Sequence, residues 1–276
     1  MKLKLTLIAM CLIFSTNSVL SQNKTYGKIS YEKAVNLAGK QRMLSQKIAK
    51  VKVLKSVGAS TAELKAEFTS GKTIFARNLK ILSDNAKDQS TKVKAMVRQS
   101  TAEWGRFESI INKPAPDVNE LLNSAEDLLV KCHGLVLAIE EESKFSKQLT
   151  LTSGMKQVRV ETINTAGRQR MLSQKLCLYY AACRAFRKGK DADRACGQYK
   201  NIYIAMDNIV NELMVNELNT SEIDLTIAHI LKVMDADINS QKKIFFDNKV
   251  PLQKIVETTN NLLELFNKLT SQYSVN

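Results

Sequence analysis

The chain has 276 residues, 44% hydrophobic and 25% charged, with a formal net charge of +14 and only 10 Gly and 3 Pro. That length accommodates two domains of ordinary size, and so few turn-forming residues argue against a β-sandwich or barrel, leaving an all-α class. The positive field favours anionic partners, but the lysines are scattered and a single Trp offers no stacking platform, which argues against nucleic acid.

Lys2 and Lys4 precede an apolar run over residues 5–14, and Val19-Leu20-Ser21 leads into Gln22. Residues 1–21 therefore read as a secretory signal peptide, too short to span a bilayer comfortably. The rest is then periplasmic or secreted, or held by an N-terminal anchor if the segment is not cleaved. Apolar periodicity predicts a first helix over residues 30–57, which Gly58-Ala59-Ser60-Thr61 ends while capping the next. The second helix runs to about residue 82 and the third begins near residue 89. Pro114 and Pro116 make the clearest break, after which Asp117 and Glu120 form an N-terminal signature for a fourth helix ending near residue 147. His133 lies within it, at a core edge rather than as a metal ligand. After a boundary at residues 149–154 the pattern repeats. A fifth helix ends near residue 188 and a sixth spans about 191–218. Thr220-Ser221-Glu222 opens a seventh, striped by Leu225, Ile230, Val233 and Ile238, and Pro251 opens the last. The reading is eight helices in two tandem four-helix bundles, residues 23–152 and 153–276.

The first and fifth helices carry the same stretch. Residues 36–48 read N-L-A-G-K-Q-R-M-L-S-Q-K-I and residues 164–176 read N-T-A-G-R-Q-R-M-L-S-Q-K-L, identical at ten of thirteen positions. This is an internal duplication. On a helix, Leu37, Leu44, Ile48 and Val51 make an ordinary core stripe. The opposite face is also small and apolar, with Gly39, Arg42 and Gln46 in its middle and Gly167, Arg170 and Gln174 as their equivalents. A helix with a wet back face should be charged there, so this face reads as a second packing surface, its glycines admitting another backbone. The plainer reading is a helix buried in its own bundle, its Arg snorkelling to the edge.

Four cysteines follow the signal segment. Cys183 and Cys196 flank Gly189 almost equally, so a helical hairpin turning at residues 188–191 places them at similar heights; geometry decides whether they bridge. No C-x-x-C occurs and only two histidines exist, so no zinc or redox site and no cofactor is expected.

The run A-G-[KR]-Q-R-M-L-S-Q-K, opening each half, resembles the N-terminal domain of type IV pili methyl-accepting chemotaxis transducers (PilJ-type), shared with NarX-like nitrate/nitrite sensors. The resemblance implies a four-helix sensory module in each half. In the nitrate-sensing relatives an Arg on the first helix faces its twin with the anion between them, which points to Arg42 and Arg170 here. Gly39, Gly167, Gln46 and Gln174 would stand one turn away, the glutamines donating further hydrogen bonds. Gln41 and Gln169 depart from the residue type of the best-known nitrate sensors, so the ligand class stays a small anion, nitrate-like or carboxylate. The relatives also carry a membrane helix and an output region. Neither is read in this sequence, so the signal would pass to a separate membrane sensor or chemotaxis or kinase partner. The arginines would meet within one chain or across a homodimer.

The leading expectation is thus an exported small-anion-binding sensory module. The rival is a structural or interaction bundle of the cell envelope without a ligand. No nucleophile–base pair or carboxylate dyad is apparent, so an enzyme is not expected.

Overall fold

A computed structural model describes residues 25–147 and 153–275. The expected signal segment and most of the expected boundary between halves lie outside them. The described residues form eight long helices, a short one, and no strand beyond an isolated bridge between Tyr26 and Ile29. The elements are α1 (Tyr31–Ser56), α2 (Ala62–Asn85), α3 (Thr91–Ile111), α4 (Val118–Lys147), α5 (Ser153–Ala185), α6 (Lys190–Met214), α7 (Ser221–Asp237), α8 (Lys242–Phe246) and α9 (Leu252–Val275).

Local chemistry sets most of the starts. Ser30, Thr61, Ser90 and Thr220 each accept a hydrogen bond from the backbone N–H three residues on, and Asp117 accepts from Glu120 N at 2.9 Å. Each side chain satisfies one of the donors that a helix start leaves orphaned. The Glu120 carboxylate does not complete a capping box; it pairs with Lys113. α5 ends three residues earlier than periodicity suggests, because Arg187 and Gly189 take positive φ values, 58° and 95°, to turn the hairpin, and α6 ends four residues earlier, at Met214. The five-residue α8 was not legible. Leu225 is 62% exposed rather than part of a stripe, and α7 buries Ile223, Thr226, Ile227, Ile230 and Met234 instead.

α1 packs on α2 and α4, and α3 closes that unit; α5 packs on α6 and α9, and α7 closes the second. The most extensive helix pair in the molecule is α1 with α5. The two units therefore stand side by side, joined through their motif helices, which run parallel: Asn36 meets Arg170, Arg42 meets Asn164, and Lys50 meets Gln174. This is why both faces of α1 are apolar. One serves its own bundle, and the other serves the seam.

The repeated motif works as a set of ties. Gln41 Nε2 donates to Phe75 O on α2 (3.0 Å), and Gln169 Nε2 donates to Met206 O on α6 (2.7 Å). Gln46 Nε2 donates to Ala125 O on α4 (3.1 Å), and Gln174 Nε2 donates to Thr259 O on α9 (3.2 Å). Ser45 and Ser173 each donate to the carbonyl of the Arg three residues before. Each tie appears twice, at matching places in the two units.

At the far end of the second unit, Cys183 on α5 and Cys196 on α6 are joined by a disulfide, Cα–Cα 5.0 Å. Beside it Tyr180, Tyr199, Tyr203 and Phe245 form an aromatic cluster with ring centroids 5.0–5.6 Å apart. Cys132 and Cys177 are free and buried. With 13 residues of sequence separation, loop-closure entropy puts the disulfide at about 3 kcal/mol. Cys183→Ala/Cys196→Ala should lower the denaturant-derived stability by about 2–3 kcal/mol. An unchanged midpoint would mean that the aromatic cluster alone holds the hairpin.

Candidate functional site

Arg42 on α1 and Arg170 on α5 point into the seam from opposite sides, and each is only 1% exposed. Their environments mirror each other across the repeat. Arg42 Nη2 donates to Asn164 O at 3.3 Å, and Arg170 Nη1 donates to Asn36 Oδ1 at 2.9 Å. Each Arg thus reaches back to the Asn that opens the other motif copy. The two asparagines were not singled out from sequence, although their identity in both copies was a usable signal.

The glycines have a different role from the one expected. A Cβ on Gly39 would lie 3.3 Å from Arg170 Nη2 and 3.4 Å from Arg42 Nη2. On Gly167 it would lie 2.9 Å from Arg170 Nη2 and 3.7 Å from Arg42 Nη2. The atoms nearest to either position all belong to the two arginine side chains rather than to the backbone of the facing helix. What the missing side chains admit is the pair of guanidinium groups. Gln46 and Gln174 do not join them, because their Nε2 donors are committed to α4 and α9.

The guanidinium groups are underpaired. Neither forms an ion pair among the described residues, and Arg42 Nε, Arg170 Nε and Arg170 Nη2 are buried without a hydrogen-bond partner. Burial, followed by repulsion from Arg42, pulls the Arg170 pKa down to about 9. Burial foremost draws Arg42 down to about 10, with Arg168 also opposing its charge. Both remain cations at neutral pH. The same seam contains a satisfied buried cation for comparison. Lys50, fully buried, pairs with Glu67 Oε1 at 2.5 Å and donates to Gln174 Oε1 (2.8 Å) and Asn260 Oδ1 (2.9 Å). Its counterpart in the second copy is Leu178, so this tie is asymmetric and sequence reading passed over it. Lys50 has an acid; the arginines have none.

Around them, Asn164 Nδ2 donates to Glu140 Oε2 at 2.8 Å. Glu140 therefore engages the amide, not the guanidinium. Burial, and after it the neighbouring Glu161, hold its pKa above the ordinary carboxylate value. At the exposed rim, His133 Nδ1 sits 3.2 Å from Arg42 Nη1. Arg has only donors, so this nitrogen accepts and the ring is neutral with its proton on Nε2. No group of three His, Cys, Asp or Glu that could hold a metal is found among the described residues.

Residues 30–129 match the family described as Type IV pili methyl-accepting chemotaxis transducer N-term. The match spans α1 to α3 and the start of α4, and so includes Arg42 but not Arg170. No curated protein and no solved structure matches the chain. None of the described helices is long and apolar enough to cross a membrane.

The rim has a pH signature. Desolvation, then Arg42 and Arg168, keep the His133 pKa below its ordinary 6.5. The unfolded chain therefore takes up a proton on this ring before the folded chain does, and stability falls as pH drops below that value. Glu140 acts in the opposite sense, because its raised pKa lets the folded state bind the proton first. His133→Gln should show a shallower loss of stability between about pH 7 and about pH 5 than the parent chain. Equal slopes in denaturant titrations at both pH values would mean that the folded state places no restraint on His133 protonation.

Proposed function

We propose that the chain is a sensory module that takes up a small anion, nitrate-like or a small carboxylate, between Arg42 and Arg170. The observation that supports this reading is the pair of fully buried guanidinium groups with three unpartnered N–H donors and no ion pair among the described residues, Glu140 being engaged by the Asn164 amide. Two such cations repel in a low-dielectric seam. A planar anion between them replaces repulsion with attraction and matches the guanidinium fork. Nitrate, nitrite and formate or acetate have the shape and charge for this role; His133 stands where the seam meets solvent.

The seam is close-packed, so uptake must alter the spacing of α1 and α5, and with it the relation of the two units. That shift is the signal in this reading. The family match over residues 30–129 supports a chemotaxis-type sensory role. We place the module outside the cytoplasm, exported through residues 1–21, reporting to a separate membrane-bound transducer or kinase. No catalytic step belongs to this reading. A second reading, a bundle that keeps the motif for packing alone, draws on the glutamine, serine and lysine ties. It accounts for the motif glutamines and serines but not for the two arginines and the glycines beside them.

Titration calorimetry of the chain against nitrate, nitrite, formate and acetate tests the proposal. Arg42→Ala or Arg170→Ala should weaken binding of whichever anion binds by about 1.5–3 kcal/mol, the scale of a charged hydrogen bond. Absence of anion affinity in the parent chain, or affinity unchanged in the double variant, would leave the packing reading standing.

A further inference from the structure

The far ends of the two helical hairpins differ in a way that points to a second site. The ties from the motif glutamines fix the equivalence of the second helices. Gln41 reaches Phe75 and Gln169 reaches Met206, an offset of 131 residues on α2 and α6, against 128 on α1 and α5. By these offsets Cys183 and Cys196 correspond to Lys55 and Lys65, and Tyr199 and Lys200 correspond to Phe68 and Thr69. The second unit bridges this position with its disulfide. The first unit sets two lysines there, which cannot close on each other.

Between α1 and α2 of the first unit lies a cleft of about 220 Å3. Val51, Leu64 and Phe68 give it an apolar floor, and Lys52, Lys55 and Lys65 stand around it. Lys52 and Lys72 lie over the Phe68 ring, at 5.5 and 5.8 Å from its centroid. Lys72 is paired with Glu108, and Lys52 donates to Lys113 O. Lys55 and Lys65 form no ion pair among the described residues, and no carboxylate lines the cleft. In the second unit the corresponding hollow of about 520 Å3, lined by the disulfide, also carries Arg184, Arg187, Asp247 and Asn248, with Arg184 Nε donating to Asn248 Oδ1.

We propose that this cleft binds a small aromatic monocarboxylate, its ring on Leu64 and Phe68 and its carboxylate between Lys55 and Lys65. The volume sets the size. A cavity of roughly 150 Å3 accepts a benzene ring, while drug-sized ligands take about 300 Å3 or more. A single ring with one carboxylate therefore fits, and a fatty acid or a nucleotide does not. The lysines supply the charge selection, since an apolar floor alone would take neutral and anionic rings alike. The site is separate from the arginine seam and does not depend on it.

Benzoate is the probe, titrated into the chain by calorimetry, with benzamide as its neutral counterpart. Benzoate should bind and benzamide should bind at least about tenfold more weakly, the scale of one charged hydrogen bond. Lys55→Gln/Lys65→Gln should reduce benzoate affinity by about tenfold or more while leaving any nitrate titration unchanged. Arg42→Ala/Arg170→Ala should keep the benzoate affinity. Lys55→Cys/Lys65→Cys, oxidised to imitate the second unit, should lose benzoate binding. Equal binding of benzamide, benzoate affinity indifferent to the lysine pair, or benzoate affinity lost with the arginines would each overturn the assignment.

Discussion

Two guanidinium groups without a counter-ion, buried together where α1 meets α5, constrain the rest of the structure. A buried charge stripped of its partner costs several kcal/mol, and here the two also repel. The fold meets that cost with ordered packing on every side. α1 and α5 are buried on both faces, the motif serines donate to the arginine carbonyls, the motif glutamines tie both helices to their neighbours, and Gly39 and Gly167 leave room for the guanidinium planes. Lys50 sharpens the contrast. Two turns along the same seam, a cation fully buried in the same way is met by Glu67, Gln174 and Asn260. The chain is thus able to neutralise a buried cation in this seam, and at Arg42 and Arg170 it does not.

The duplication turns the seam into a nearly symmetric device. Parallel packing of α1 on α5 makes each Arg address the other copy's Asn, so a displacement along the helix axes changes both contacts together. The asymmetries are local and have distinct consequences. Lys50 against Leu178 ties α1 to α9. The Cys183–Cys196 disulfide bridges one hairpin where the other carries Lys55 and Lys65. His133 and Glu140 bring protonation to the first unit's side of the seam only. Duplication followed by such changes gives one bundle pair a central seam and two dissimilar ends.

Much of this was legible in the sequence. Long 3.6-residue periods and Ser, Thr and Asp caps specify the eight long helices, and two apolar faces on one helix require a second packing partner. The fraction that was not legible has physical reasons. Gln46 and Gln174 are spaced correctly for the seam, but a long flexible amide has a choice of acceptors, and the carbonyls of Ala125 and Thr259 lie nearer than any ligand. The glycines read as a backbone contact because sequence does not reveal that the neighbour filling their space is a side chain. Lys50 and Glu67 look like solvated charges until the units are placed side by side. α8 is too short for periodicity to register, and Leu225 shows that an apolar residue at helical spacing does not by itself mark a core.

On the proposed function, the seam is electrostatically incomplete without an anion. Thermal unfolding of the parent chain and of Arg170→Met, in a buffer whose only anion is a bulky sulfonate and again with added nitrate or formate, tests this directly. Removing an unpaired buried cation should stabilise the anion-free protein by about 1–4 kcal/mol, raising its Tm by several degrees. Added anion should stabilise the parent chain and close the gap, since a ligand that binds only the folded state raises stability with its concentration. A variant less stable than the parent in anion-free buffer, or a gap indifferent to every anion added, would contradict the claim.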